Sequence, residues 1–64
     1  MEKINFIYST IKKINNNSNV SSEDISKSLS FLHELIKDRK YPGSKAEAMQ
    51  IGGLLSKALS KINK

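Results

Sequence analysis

Apolar residues recur at three- and four-residue spacing in three separate stretches of this chain, and two runs of turn-forming residues divide them. That spacing gathers apolar side chains on one face of a helix; a strand would need strict alternation, and no run of strand length alternates. The pattern therefore restricts the chain to helices that bury one face against each other.

In the first stretch the apolar positions are Ile4, Ile7, Tyr8, Ile11 and Ile14, with Lys3, Thr10, Lys12 and Lys13 on other faces. They predict a helix over 2–15. It stops in Asn15, Asn16, Asn17, Ser18 and Asn19, because these side chains bond to nearby backbone and favour turns.

The second helix, over 22–40, opens with Ser21 as its cap, Asp24 at the third position, and Val20 and Ile25 placed to close a hydrophobic staple. Its stripe is Ile25, Leu29, Leu32 and Ile36, widened by Phe31 and Leu35, so it touches two neighbours. It ends before Pro42, which pushes Tyr41 out of helical geometry, and Gly43 is free to take positive φ. The third helix, over 45–62, opens with Ser44, Lys45, Ala46 and Glu47, a capping box that ties two backbone donors. Its apolar positions are Ala48, Ile51, Leu55, Ala58 and Ile62, broadened by Met49, Leu54 and Leu59.

The expected fold is all-α: one domain over 1–64, with helices 2 and 3 forming a hairpin closed by Tyr41, Pro42 and Gly43. Helix 1 packs across the hairpin or onto a partner subunit. A domain near 60 residues buries only about 60% of its unfolded surface, so the core is thin. With 64 residues, no cysteine and one histidine, the chain has neither a disulfide nor a metal cluster to support it. Self-association remains, and a homo-oligomeric bundle is expected.

No apolar run is long enough to cross a membrane, and the amino terminus carries acid and lysine within its apolar stretch, unlike a signal peptide. The expected location is the cytoplasm. The net charge of +5 favours anionic partners, although such a charge also serves solubility alone.

Two positions resist a routine explanation. Gly52 and Gly53 fall in the middle of helix 3, where each costs about 1 kcal/mol relative to alanine. Ala48, Gly52 and Ser56 share one edge, which suits close helix contact, a ligand approaching the backbone, or a kink. Lys45, in the first turn of helix 3, faces the positive end of the helix dipole, and a bound anion would reverse that cost. Free backbone donors after Gly43 and Ser44, with Lys45, Arg39 and Lys40, form a possible phosphate cradle on which Tyr41 stacks a base. The candidate ligand site is thus Arg39, Lys40, Tyr41, Gly43, Ser44, Lys45 and Gly52. The bland alternative is a simple turn with solvated charges, since Lys37, Arg39 and Lys40 also suit the end of helix 2.

Nothing in the sequence assembles a catalytic group. His33 is the only histidine, and Glu34 beside it points elsewhere on the helix. Glu23, Asp24, Glu34, Asp38 and Glu47 have roles as helix-start acids or ion-pair partners, so no metal, cofactor or enzymatic activity is expected.

The stretch over 22–62, above all Ser44 and Lys45 opening a final helix with Ala48, Leu54, Leu55 and Ala58, resembles in architecture the small phage anti-defence hairpin proteins that sequester cyclic nucleotide signals. The resemblance implies a homo-oligomeric sponge in the host cytoplasm that removes an immune messenger without cleaving it, with sites at subunit boundaries. A second likeness, to bacteriocin-immunity helical bundles, implies a protein-binding or inhibitor module. A small nucleic-acid binder is the third class, for which helix 3 offers chiefly Lys45, Gln50, Lys57 and Lys61.

Overall fold

The computed structural model describes residues 2–62; Met1, Asn63 and Lys64, which the single-domain reading includes, lie outside the described residues. Three helices follow one another, α1 (Glu2–Asn15), α2 (Ser22–Lys37) and α3 (Lys45–Ile62), with no strand among the described residues. Lys3 meets Glu34 while Thr10 meets Ser28, so α1 runs antiparallel to α2. Gly52 faces Leu32, and Tyr8 reaches Glu47, so α3 pairs with α2 and runs alongside α1 in the same direction.

The core draws on all three helices: Ile4 and Ile7 from α1, Ile25, Leu32 and Leu35 from α2, and Ala48, Ile51 and Leu55 from α3. Fully burying one such large side chain contributes about 1.5 to 3 kcal/mol. Ile11, Ile14, Val20, Leu29, Phe31, Ala58 and Leu59 lie partly buried around it. The stripes are narrower than expected. Tyr8 and Ile36 are each 43% exposed, Ile62 is 46% exposed and Met49 is 71% exposed.

Conversely, two polar residues are inside. Thr10, assigned from its polarity to an outer face, is buried, and so is Ser28. The Ser28 hydroxyl donates to Thr10 Oγ1 at 2.9 Å, and the Thr10 hydroxyl donates to the Phe6 carbonyl at 3.0 Å. Each hydroxyl is satisfied, which removes most of the cost of burying it.

The helix ends show why α2 stops at Lys37 and not at residue 40. Arg39 takes a left-handed backbone, φ 56°, its N–H donates to the Ile36 carbonyl at 3.1 Å, and the Lys40 N–H donates to the Leu35 carbonyl at 2.8 Å. This is a Schellman ending, in which two terminal carbonyls are satisfied by the reversing chain. It turns the chain before Pro42 imposes extended geometry on Tyr41. At the end of α1, Asn17 (φ 58°) does the same: its N–H reaches the Ile14 carbonyl at 3.1 Å and Ser18 reaches Lys13 at 2.9 Å. Asparagine tolerates that backbone readily; arginine does not.

The helix starts follow the sequence in part. Ser21 Oγ accepts from the Asp24 N–H and Ser44 Oγ accepts from the Glu47 N–H, each at 3.1 Å. The second half of the expected capping box is not made. The Glu47 carboxylate turns instead to two tyrosines, and the adjoining Gly43 does not take positive φ.

Candidate functional site

The turn between α2 and α3 carries a shallow depression of about 390 Å³ lined by Ile36, Arg39, Tyr41, Gly43, Lys45 and Ala48. Four of the residues singled out from the sequence therefore come together there. The left-handed backbone at Arg39 sends the chain toward α3, Pro42 extends it, and the first turn of α3 closes the far wall with Lys45.

The other three stand apart. Lys40 lines a separate hollow of about 300 Å³ with Glu2, Lys3, Glu34, Leu35 and Asp38 on the α1 side of the bundle. The Ser44 hydroxyl is engaged as the helix cap. Gly52 lies seven residues beyond Lys45, about 10 Å along the helix axis, and faces α2.

Tyr41 is half-buried and donates a hydrogen bond of 3.1 Å to Glu47 Oε1, to which Tyr8 donates a longer one of 3.5 Å. Burial pushes the Tyr41 phenol above its ordinary value, and the hydrogen bonds with Tyr8 and Glu47 push the same way. Both phenols donate to the Glu47 carboxylate. A Cβ added at Gly43 would lie 2.7 Å from Glu47 Oε2 and 2.7 Å from Tyr41 Cε2, so both side chains would have to shift. The glycine lets the ring and carboxylate pack over the turn.

Arg39 and Lys45 are both exposed, and among the described residues no carboxylate lies within 4.0 Å of either; the one ion pair among those residues joins Lys3 and Glu34 at 2.7 Å. The depression thus offers two cations, an aromatic ring and the start of a helix. Among the described residues no group of three His, Asp or Glu side chains converges as a metal site would require.

A second polar and aromatic cluster lies on the α1 and α2 face. Phe6 and Phe31 meet edge to face with centroids 5.5 Å apart. Lys3 sits 5.9 Å from the Phe31 centroid and Lys27 sits 5.8 Å from that of Phe6. The hydrogen bond and charge of Glu34 raise the pKa of Lys3. The lysines cover the ring faces, so this cluster reads as packing that joins α1 to α2. All three contacts cross between α1 and α2, so the spacing within either helix does not announce them.

No protein-family model, curated protein or solved structure matches this chain.

Proposed function

We propose that the chain is a binding protein that holds a small phosphorylated ligand of nucleotide type in the depression at the α2–α3 turn, and acts by sequestering it. The observation that carries this reading is the pair Arg39 and Lys45, which face one hollow without a carboxylate partner. Arg39 adds weight, because an arginine held in a left-handed backbone costs stability and such strain concentrates at ligand clamps. A phosphate between the two cations would gain charge-assisted hydrogen bonds and the favourable end of the α3 dipole. The exposed flank of Tyr41 supplies a surface for a base.

The sponge reading also calls for self-association. It is supported by the outer side of α3, where a Cβ added at Gly53 would meet nothing within 4 Å and the neighbouring Met49 is 71% exposed. A second copy is a use for that smooth face which the single chain does not supply.

Calorimetric titration against cyclic nucleotides and ADP-ribose-type nucleotides tests the site. Micromolar binding that weakens about tenfold in each of Lys45→Ala and Arg39→Ala, the loss of one charge-assisted bond, is the expected outcome. Absence of heat at high micromolar ligand would remove the proposal.

A further inference from the structure

We propose that the open seam between α1 and α3, at the end of the bundle away from the α2–α3 turn, is a docking groove for an acidic amphipathic helix of a partner protein. α2 packs along both other helices, while α1 and α3 approach each other more sparsely. At the start of α3 the seam is bridged by Tyr8 and Glu47. Farther along, no such bridge spans it, and two contiguous hollows of about 320 and 170 Å³ share Ile14, Ala58 and Lys61.

The floor is apolar and one end of it is polar. Ile14 of α1, Val20 of the α1–α2 connection, and Leu54 and Ala58 of α3, all only partly buried, form the floor, while Asn17, Ser18 and Asn19 of the same connection close one end of the larger hollow. From Leu54 through Ala58 to Ile62 the floor follows one edge of α3 for about 12 Å, two helical turns. A groove between two helices that run side by side is the shape a further helix fills when it completes a bundle, with apolar anchors at three- and four-residue spacing.

Charge selects the occupant. Lys57 and Lys61 line the groove four residues apart, where two like charges on one helix repel. Among the described residues neither has a carboxylate within 4.0 Å. Lys61 has a second role beside the negative end of the α3 dipole, but Lys57 stands a turn earlier. Lys12 and Lys13, in the last turn of α1, belong to the same end of the bundle. The acids there, Glu23 and Asp24, sit in the first turn of α2 and line neither hollow. A helix with glutamates beside its apolar stripe would satisfy both the floor and the rim. A second copy seated in this groove would bring the lysines of a chain of net charge +5 against Lys57 and Lys61.

The test is an NMR titration of the whole chain with a synthetic peptide of about four helical turns, carrying leucines at helical spacing and glutamates on the flanks. The matched control has lysine for each glutamate. The expected result is saturable shifts at Ile14, Leu54, Ala58 and Lys61 for the glutamate peptide, weakened by salt and absent for the lysine peptide. Ala58→Glu, which fills and charges the groove, abolishes them. The exposed pair Lys57→Glu and Lys61→Glu, which leaves the core untouched, lowers affinity at least tenfold. Equal binding of both peptides, no shifts at all, or shifts confined to residues 39–45 would overturn the proposal. So would a dimer seen by light scattering that Ala58→Glu disperses, which assigns the groove to a second copy. Co-sedimentation with phosphatidylglycerol vesicles by a chain that ignores the peptide would equally overturn it.

Discussion

The phenol of Tyr41 donates to Oε1 of Glu47 across 3.1 Å, and this bond ties the entry of the α2–α3 turn to the first turn of α3. It explains three local departures from routine turn chemistry. The carboxylate leaves the capping box half-made, glycine between them lets ring and carboxylate meet without displacement, and Tyr8 of α1 is drawn to the same oxygen. One carboxylate thus joins α1, the α2–α3 turn and the start of α3 beside the candidate site.

Because the folded state holds Tyr41 protonated above its ordinary pKa of 10.0, burial first and hydrogen bonding second, stability depends on pH in the alkaline range. The sign follows from linkage: the contribution is whole below pH 10, where both states keep the proton, and declines above it as only the unfolded chain ionises. Thermal unfolding followed by circular dichroism between pH 8 and 12 should show a decline in Tm above about pH 10. Tyr41→Phe, which removes the titrating group, should show a shallower one. Parallel curves for the two proteins would refute the assignment.

Two glycines should respond oppositely to alanine. At Gly43 the new methyl would enter space held by the Tyr41 ring and the Glu47 carboxylate. Moving these two side chains aside breaks their hydrogen bond, which costs about 1 kcal/mol, and Glu47→Ala should recover part of it. At Gly53 the methyl meets open space, and replacing a mid-helix glycine should stabilise the monomer by about 0.5 to 1 kcal/mol. Urea unfolding of both variants at low protein concentration decides the matter. A Gly53→Ala chain less stable than the parent only at high concentration would place a second copy on that face.

The three helices and the hairpin were legible because spacing and caps agree: Ser21 and Ser44 each cap the helix that the apolar pattern places after them. What the sequence concealed was long-range. Thr10 and Ser28 are eighteen positions apart and each looks like a surface residue, yet each satisfies the other inside. The end of α2 was hidden for a different reason, since nothing about arginine announces a left-handed backbone. In the candidate site, Arg39, Tyr41, Gly43 and Lys45 are near in sequence and were readable together, but the side taken by Lys40 depends on that early turn.

Thr10 and Ser28 should show strong coupling. Thr10→Val leaves the Ser28 hydroxyl buried without its acceptor, which costs about 1 to 3 kcal/mol. Ser28→Ala leaves Thr10 bonded to the Phe6 carbonyl, so the loss should be about 1 kcal/mol. The double variant should be less destabilised than the sum of the two, because the orphaned hydroxyl is gone. Additive losses in a double-mutant cycle by urea unfolding would show that the bond contributes little.

If the proposed ligand site is correct, Arg39 sets stability against binding in a single side chain. Its φ of 56° suits glycine, whose missing Cβ relieves the strain, so Arg39→Gly should stabilise the fold by about 0.5 to 1 kcal/mol. The same change deletes one of two unpaired cations at the depression and should weaken a phosphorylated ligand about tenfold, the effect of losing a charge-assisted bond. Arg39→Lys separates the effects: it keeps the charge and the backbone strain, so stability should stay near the parent value and most of the affinity should return. Melting temperature and calorimetric affinity measured on the same three proteins would then move in opposite directions. If Arg39→Gly binds the ligand as tightly as the parent while melting higher, the arginine is only a poor helix terminator and the phosphate must sit elsewhere.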